Sequence, residues 1–454
     1  MGDIEASPQP KKWILNAFSM STPTHVASGL WRHPRNQTSR YTDIQYWLEL
    51  AKILEGNFHA LFLADMLGIY DVYKGPGNIK EVLPGAAQFP ISDPSLPIAA
   101  MASVTKSLSF GITASTTYEP PFMLARRYST LDHLTSGRVA INVVTSYLDS
   151  AAKNLGLEKE IPHDERYAIA EENLTVFYKL LEGSWRDDAV IRDVNLKQYT
   201  HPDRVRRIDH KGKYFSCAGP HQVEPSRQRT PFIFQAGASK AGKSFATRHS
   251  EAITAEQGRN PDGIKLIAGI LIIVDETDEK AQARYEEYLS YADLDGSLAL
   301  FGGWTGQDLG TFKDDDDLRF SGPGTIQSIT SSFHNTIPGS DGVRWTKARV
   351  ARELALGGAH PRAIGSASTV ADLLQTWIDG AGIDGFNISY AVGPGDLEDV
   401  VKYLIPELKK RGVFWDAKAA EGKTTRENYL GPELGNGGRL ANDHPGSAYK
   451  WAAS

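Results

Sequence analysis

The plainest chemical spacing in the chain is Gly237-Ala238-Ser239-Lys240-Ala241-Gly242-Lys243-Ser244. This octet satisfies G-x-x-x-x-G-K-[ST], follows the apolar run Pro231–Gln235 and opens an amphipathic stretch. A P-loop cradles phosphates with its backbone N–H groups in that context. Ile270–Asp275 adds an apolar run ending in an acid, as the metal-side strand of a nucleotide triphosphatase would. Against that reading, the octet comes after four strand–helix units, and the stretch from Ser244 to Asp275 holds one short strand. The triphosphatase stands as an alternative, and a helix amino terminus is a good phosphate site in any fold. Other chemistries are poorly supplied. Cys217 is the single cysteine, which rules out an intrachain disulfide framework and a multi-thiolate metal centre. Metal-ligand spacing, a G-x-S-x-G elbow and CxxC are all absent, and Asp314–Asp317 are wrongly spaced for an EF-hand. The basic run His201–Lys213 includes Arg204, Arg206, Arg207, Lys211 and Lys213 but no interleaved aromatics, and it reads as a solvated face.

Those residues must be positioned by elements that alternate short apolar runs with amphipathic stretches. Strands are expected at Trp13–Phe18, Ala60–Ala64, Phe110–Ser115, Val139–Val144, Phe232–Gln235, Ala252–Ala255, Ile264–Val274 and Phe386–Ser389. Helices are expected between them at Tyr41–Glu55, Pro97–Lys106, Pro121–Leu134, Glu165–Glu182, Ala241–His249, Glu279–Tyr291 and Val370–Ala381, with Leu397–Arg411 closing the series. That is the count of an α/β (β/α)₈ TIM barrel, whereas an open doubly wound sheet would fit six of the strands more comfortably than eight. The expectation is a single barrel domain over residues 1–454. Its excess length falls in two large insertions, 184–230 and 292–345, which lack a clear pattern and read as lid, binding loop or oligomer contact.

Composition sets the outer limits. The chain has 454 residues, 41% of them hydrophobic, and a formal net charge of -6, so it can bury a large core. Its mild acidity makes it a poor general binder of nucleic acid or anionic membrane. The acidic start Met1-Gly2-Asp3-Ile4-Glu5-Ala6 offers no signal peptide, and no run of 18 apolar residues spans a membrane. A soluble, cytoplasmic protein is expected.

A second signal reorders the first. The stretch Leu131-Asp132-His133-Leu134-Thr135-Ser136-Gly137-Arg138-Val139-Ala140-Ile141-Asn142-Val143-Val144-Thr145-Ser146 resembles the bacterial-luciferase-like flavin monooxygenases. More narrowly it is similar to the subgroup acting on nitrilotriacetate, EDTA, dibenzothiophene sulfone, dimethyl sulfide and long-chain alkanes. Phe62-Leu63-Ala64-Asp65, His163-Asp164-Glu165-Arg166-Tyr167, Ser184-Trp185-Arg186-Asp187-Asp188-Ala189 and Ile208-Asp209-His210-Lys211-Gly212-Lys213-Tyr214-Phe215 extend it. Phe234-Gln235-Ala236-Gly237-Ala238-Ser239 and Asp384-Gly385-Phe386-Asn387 complete an ordered set over nearly the whole chain. The family's fold is an elaborated (β/α)₈ barrel. Its members carry Pro and Arg where this chain has Lys240 and Lys243, so the resemblance implies that the P-loop match is accidental and that the loop contacts an FMN phosphate.

Carried over by position, the resemblance implies a flavin site at Asp65, Thr113, His163, Tyr167, Gly237, Ala238 and Ser239. Asn142, Thr145 and Ser146 join it from the end of the fourth strand, where a barrel places its active site. His163 and Tyr167, four apart at a helix start, reach one ligand from one face. Phe18 and His25, on the first strand and its loop, would border the substrate, with His25 polarising it or managing a proton. No metal is implied. The implied activity is that of the oxygenase component of a two-component, FMN-dependent monooxygenase. FMNH2 would come from a separate NAD(P)H:flavin reductase, O2 would add at flavin C4a, and one oxygen atom would pass to a small organic substrate. A homodimer or homotetramer is implied as well. An F420-type oxidoreductase on the same barrel and a catalytically silent flavin-binding barrel are the remaining alternatives. Ile141 stands where many relatives have Trp, and Ala86–Pro97 differs in length from bacterial members. Both departures bear on the substrate, which the sequence leaves open together with the roles of His334 and His360.

Overall fold

The computed structural model describes residues 10–236, 239–252, 263–318 and 343–451. Its central strands are β1 (Ile14–Met20), β2 (Ala60–Ala64), β3 (Ser109–Ser115), β4 (Val139–Val144), β5 (Phe232–Gln235), β6 (Ile267–Asp275), β7 (Arg362–Ser366) and β8 (Gly385–Ser389). They form one parallel sheet in the order β7-β6-β8-β1-β2-β3-β4-β5. Among the described residues the helices are α1 (Ile44–Leu54), α2 (Ile98–Ser103), α3 (Pro121–Leu134), α4 (Asp149–Asn154), α5 (His163–Tyr178), α6 (Lys240–His249), α7 (Asp278–Tyr291), α8 (Leu294–Thr305), α9 (Lys347–Leu354) and α10 (Ala367–Ala381), followed by α11 (Gly395–Asp399), α12 (Ile405–Lys410), α13 (Ala417–Ala420) and α14 (Thr425–Leu434). This is the expected α/β barrel.

Strand alternation sorts the core into two layers. Leu61, Leu63, Phe110, Ile112, Ile141 and Val143 pack outward among the helices. Ile14, Phe62, Ala140, Phe232 and Phe234 form the inner layer, with Tyr429 packed among them. Tyr429 lies 4.9 Å from the Phe232 ring and donates its hydroxyl to Asn16 Oδ1, which closes the barrel floor.

Of the expected strand Ala252–Ala255, Ala252 makes a parallel bridge to Phe234, and residues 253–255 lie outside the described ones. A strand not expected, β7, pairs Arg362–Ser366 with Leu271–Asp275 of β6; its ends are polar, so no apolar run marked it. The described part of the second insertion carries α8 and a short 3-10 turn, Leu309–Thr311. Leu298, Ala299, Leu300 and Phe301 of α8 are buried against Tyr70, Tyr73, Leu148, Trp345 and Leu354, building a second apolar cluster. Gly303 explains why a glycine-bearing segment makes a buried helix: a Cβ there would lie 1.8 Å from Tyr70 Cδ1. The first insertion forms two antiparallel ribbons, Val190–Asp193 with Gln198–Thr200 and His210–Lys211 with Ser216–Cys217. No described helix is long and apolar enough to cross a membrane.

Candidate active site

A cavity of about 320 Å³ opens where the carboxyl ends of β2 and β4 meet the start of α5. Asp65, Thr145, Ser146, His163 and Tyr167 all line it, although they come from three separate segments. Pro162 precedes α5, and its first turn sets the His163 and Tyr167 rings 5.1 Å apart at 62°. Tyr167 also meets Phe245 of α6 at 5.8 Å, which ties the β5–α6 connection to this wall. Ser146 has a positive φ of 50° and donates to Ser115 Oγ at 2.8 Å, so the turn after β4 is fixed by a hydroxyl pair.

Thr113 and Asn142 lie outside the cavity wall. They face each other in register on β3 and β4, both buried, with Asn142 Nδ2 donating to Thr113 Oγ1 at 2.8 Å. Asn142 Oδ1 is buried without a partner among the described residues. Ser239 caps α6, its hydroxyl accepting from Gly242 N at 3.0 Å. Gly237 and Ala238 lie outside the described residues, as does His334. Lys243 is exposed, and Asp275 is held by Arg284 at 2.5 Å, so the second element of a triphosphatase site is engaged elsewhere.

Asp65 is the cavity's unusual acid. It accepts from Met66 N at 2.9 Å, yet burial pushes its pKa up to about 7, with Asp93 and Glu119 adding to the rise. Arg166, within a quoted motif but given no role from sequence, also lines the cavity. Its Nη1 donates to Glu160 Oε2 at 2.6 Å, while its Nε is buried without a partner. A buried cationic donor with spare capacity, beside an imidazole and a phenol, suits a phosphate.

Phe18 and His25 sit together beside the inner layer. Their rings are 4.4 Å apart and perpendicular, and Phe18 also contacts Phe62 at 5.5 Å. His360, whose role the sequence leaves open, packs 5.7 Å from the Phe18 ring. Gly269 on β6 makes room for it, since a Cβ there would lie 2.8 Å from His360 Cδ2. Burial lowers the pKa of His25 to about 3, with His360 contributing, and that of His360 to about 4. Both imidazoles are therefore neutral near pH 7. His25 Nδ1 is buried without a partner among the described residues. The His25 carbonyl accepts from Gln88, Gln88 accepts from Tyr70, and Tyr70 accepts from Trp304, at 2.8, 2.9 and 3.0 Å. That chain ties the His25 loop to α8, a link no local sequence pattern announces.

A parallel barrel with a partly polar cavity at the carboxyl ends of its strands defines an α/β-barrel enzyme with a ligand site built from strand-end loops. Comparison narrows the class. The model of the luciferase-like monooxygenase family matches residues 18–254. The dimethyl-sulfide monooxygenase of Hyphomicrobium sulfonivorans is 44% identical over 97% of this chain and 94% of the relative. The long-chain alkane monooxygenase of Geobacillus thermodenitrificans is 45% identical over 97% and 98%. A crystal structure of DmoA from Hyphomicrobium sulfonivorans matches with a TM-score of 0.89 at 43% identity, covering 97% of this chain and 96% of that one. The chain belongs to the luciferase-like monooxygenase family and is a flavin-dependent monooxygenase.

Proposed function

We propose that this chain is the oxygenase component of a two-component system that takes FMN as FMNH2 from a separate NAD(P)H:flavin reductase. It uses O2 to oxidise a small, uncharged organic substrate. The observation that carries the cofactor assignment is the one cavity that gathers Asp65, Thr145, Ser146, His163 and Tyr167 and adds Arg166. Arg166, His163 and Tyr167 would hold the phosphate end, and Asp65, Thr145 and Ser146 the polar edge of the ring system. Bound FMNH2 supplies the activation of oxygen. The chain's own residues orient it, exclude water and hold protons. Phe18, Phe62 and Phe234 present an apolar surface against water. Asp65, with its pKa near 7, keeps a proton at its carboxyl oxygen up to neutral pH.

The substrate class is argued from charge. Phe18, Phe62, His25 and His360 form a wall with no cation at neutral pH, which offers nothing to a polycarboxylate. The relatives near 45% identity are named for dimethyl sulfide and long-chain alkanes, both uncharged; the nitrilotriacetate enzyme is 32% identical. The test is anaerobic titration with FMNH2 followed by isotopically labelled O2 in the presence of dimethyl sulfide, a long alkane or nitrilotriacetate. Labelled product from an uncharged substrate is expected. Failure to bind FMNH2, or turnover of nitrilotriacetate alone, overturns the reading.

A further inference from the structure

A second pocket, of about 350 Å³, lies far from the active cavity. It is lined by Lys179 and Gly183 after the end of α5, by Arg206, Arg207 and Ile208 of the first insertion, and by the 448–450 segment with Tyr449 and Lys450. Helix α5 starts with His163 at the active cavity, and its 16 residues place the far end about 24 Å away. Among the described residues four cations and no carboxylate line this pocket, in a chain whose net charge is -6.

Three of the cations are held by a ring nitrogen or a backbone carbonyl, and none is held by a carboxylate among the described residues. Lys179 Nζ lies 3.1 Å from His210 Nδ1, Arg206 Nε donates to the Gly183 carbonyl at 2.9 Å, and Lys450 Nζ donates to the Leu440 carbonyl at 3.0 Å. The Arg206 guanidinium also rests 4.3 Å over the Trp451 ring, which fixes its plane. Arg207 is exposed, and none of the four makes an ion pair among the described residues. Of the nearby carboxylates, Glu172 pairs with His210 and accepts from Tyr214 N and Phe215 N, Asp187 pairs with Arg229 and Arg439, and Glu182 accepts from Thr230 through Oε1 while its Oε2 has no partner among the described residues. Burial lowers the pKa of Lys450, with Arg439 and Arg426 adding to the fall and Glu182 and Asp187 opposing it. Preorganised cations with free donors are what a multiply charged oxyanion requires.

We propose that this pocket binds a diphosphate, either free or carried on a nucleoside. Four cations exceed what a singly charged anion can use, and Ile208 and the Tyr449 ring flank the charge with apolar surface for an attached group. The experiment uses the full chain without added flavin. Thermal unfolding and calorimetric titration are followed with inorganic pyrophosphate and with ADP, against sodium chloride at matched ionic strength. Pyrophosphate or ADP should raise Tm where chloride does not, and tighter binding of one of them names the source. Arg207→Ala, which removes an exposed side chain with no ion pair, should weaken the anion at least about tenfold, as should Lys450→Gln. FMN affinity should stay unchanged in Arg207→Ala. Equal shifts with chloride overturn the proposal. So does pyrophosphate binding that survives in both variants but is lost in Arg166→Gln, which would put the anion in the active cavity.

Discussion

Asp65→Asn should stabilise the flavin-free protein at alkaline pH and do much less at acid pH. The folded protein raises the pKa of this carboxyl from 3.8 to about 7, chiefly by burial. Below the lower value both folded and unfolded chains are protonated, and the side chain costs nothing through ionisation. Between the two values the unfolded chain releases its proton while the folded one keeps it, so stability falls as pH rises. Above the upper value the folded protein holds a buried carboxylate, and the loss is complete. Each tenfold change in proton affinity is worth about 1.36 kcal/mol, which sets a ceiling of about 4 kcal/mol at pH 8 and about 1.7 kcal/mol at pH 5. Unfolding entropy scales with length, so a chain this long shifts by about 1 °C per kcal/mol. Asn should therefore gain up to about 3 °C more in Tm at pH 8 than at pH 5, read by calorimetry on wild type and variant at both pH values. An equal gain at the two pH values, or a larger one at pH 5, refutes the burial argument. FMN affinity supplies the functional control: Asn keeps an N–H donor where the protonated carboxyl has O–H, so Asp65→Asn should bind FMN nearly as wild type and Asp65→Leu should not.

Arg166→Gln should weaken FMN about tenfold but leave riboflavin binding unchanged, because only FMN carries the phosphate; fluorescence titration with both flavins checks this. Gly269→Ala brings a Cβ to within 2.8 Å of His360 Cδ2, so it should displace His360 and lower product formation while FMN affinity holds. His25→Ala should uncouple the enzyme, with FMNH2 and O2 consumed but little substrate oxidised. Unchanged product yield would remove His25 from any role at the substrate.

Much of the frame was legible because it obeys local rules. Ala60–Ala64, Val139–Val144, Phe232–Gln235 and Pro121–Leu134 fall where their apolar patterns put them. Pattern reading failed where long-range packing decides. β7 has only Ala363 and Ile364 as apolar side chains and is a strand because β6 lies beside it. α8 carries glycines that weaken its helix signal, and Gly303 is tolerated because the Tyr70 ring fills its missing side chain's place. At the site, His163 and Tyr167 were visible as an i, i+4 pair at a helix start, and the end of β4 as a barrel-mouth position. His360 was not, because nothing in its neighbourhood along the chain records that it will meet Phe18, whose strand lies at the other end of the sequence.

The same burial acts with opposite effect on the two kinds of titratable group at the barrel mouth. It raises the Asp65 carboxyl to about 7 and lowers His25 and His360 to about 3 and about 4. Each shift favours the neutral form of its own group. Proton chemistry is thereby divided between groups. An imidazole held down to about 3 gains a proton only in acid, so His25 meets a substrate near pH 7 as a neutral hydrogen-bonding ring with an unpartnered Nδ1. The group poised to gain or lose a proton near neutrality is Asp65, the residue that follows the carboxyl end of β2. A pH profile of product formation should then break near 7 in wild type and lose that break in Asp65→Asn, whereas a break that persists in the variant would assign the titration to another group.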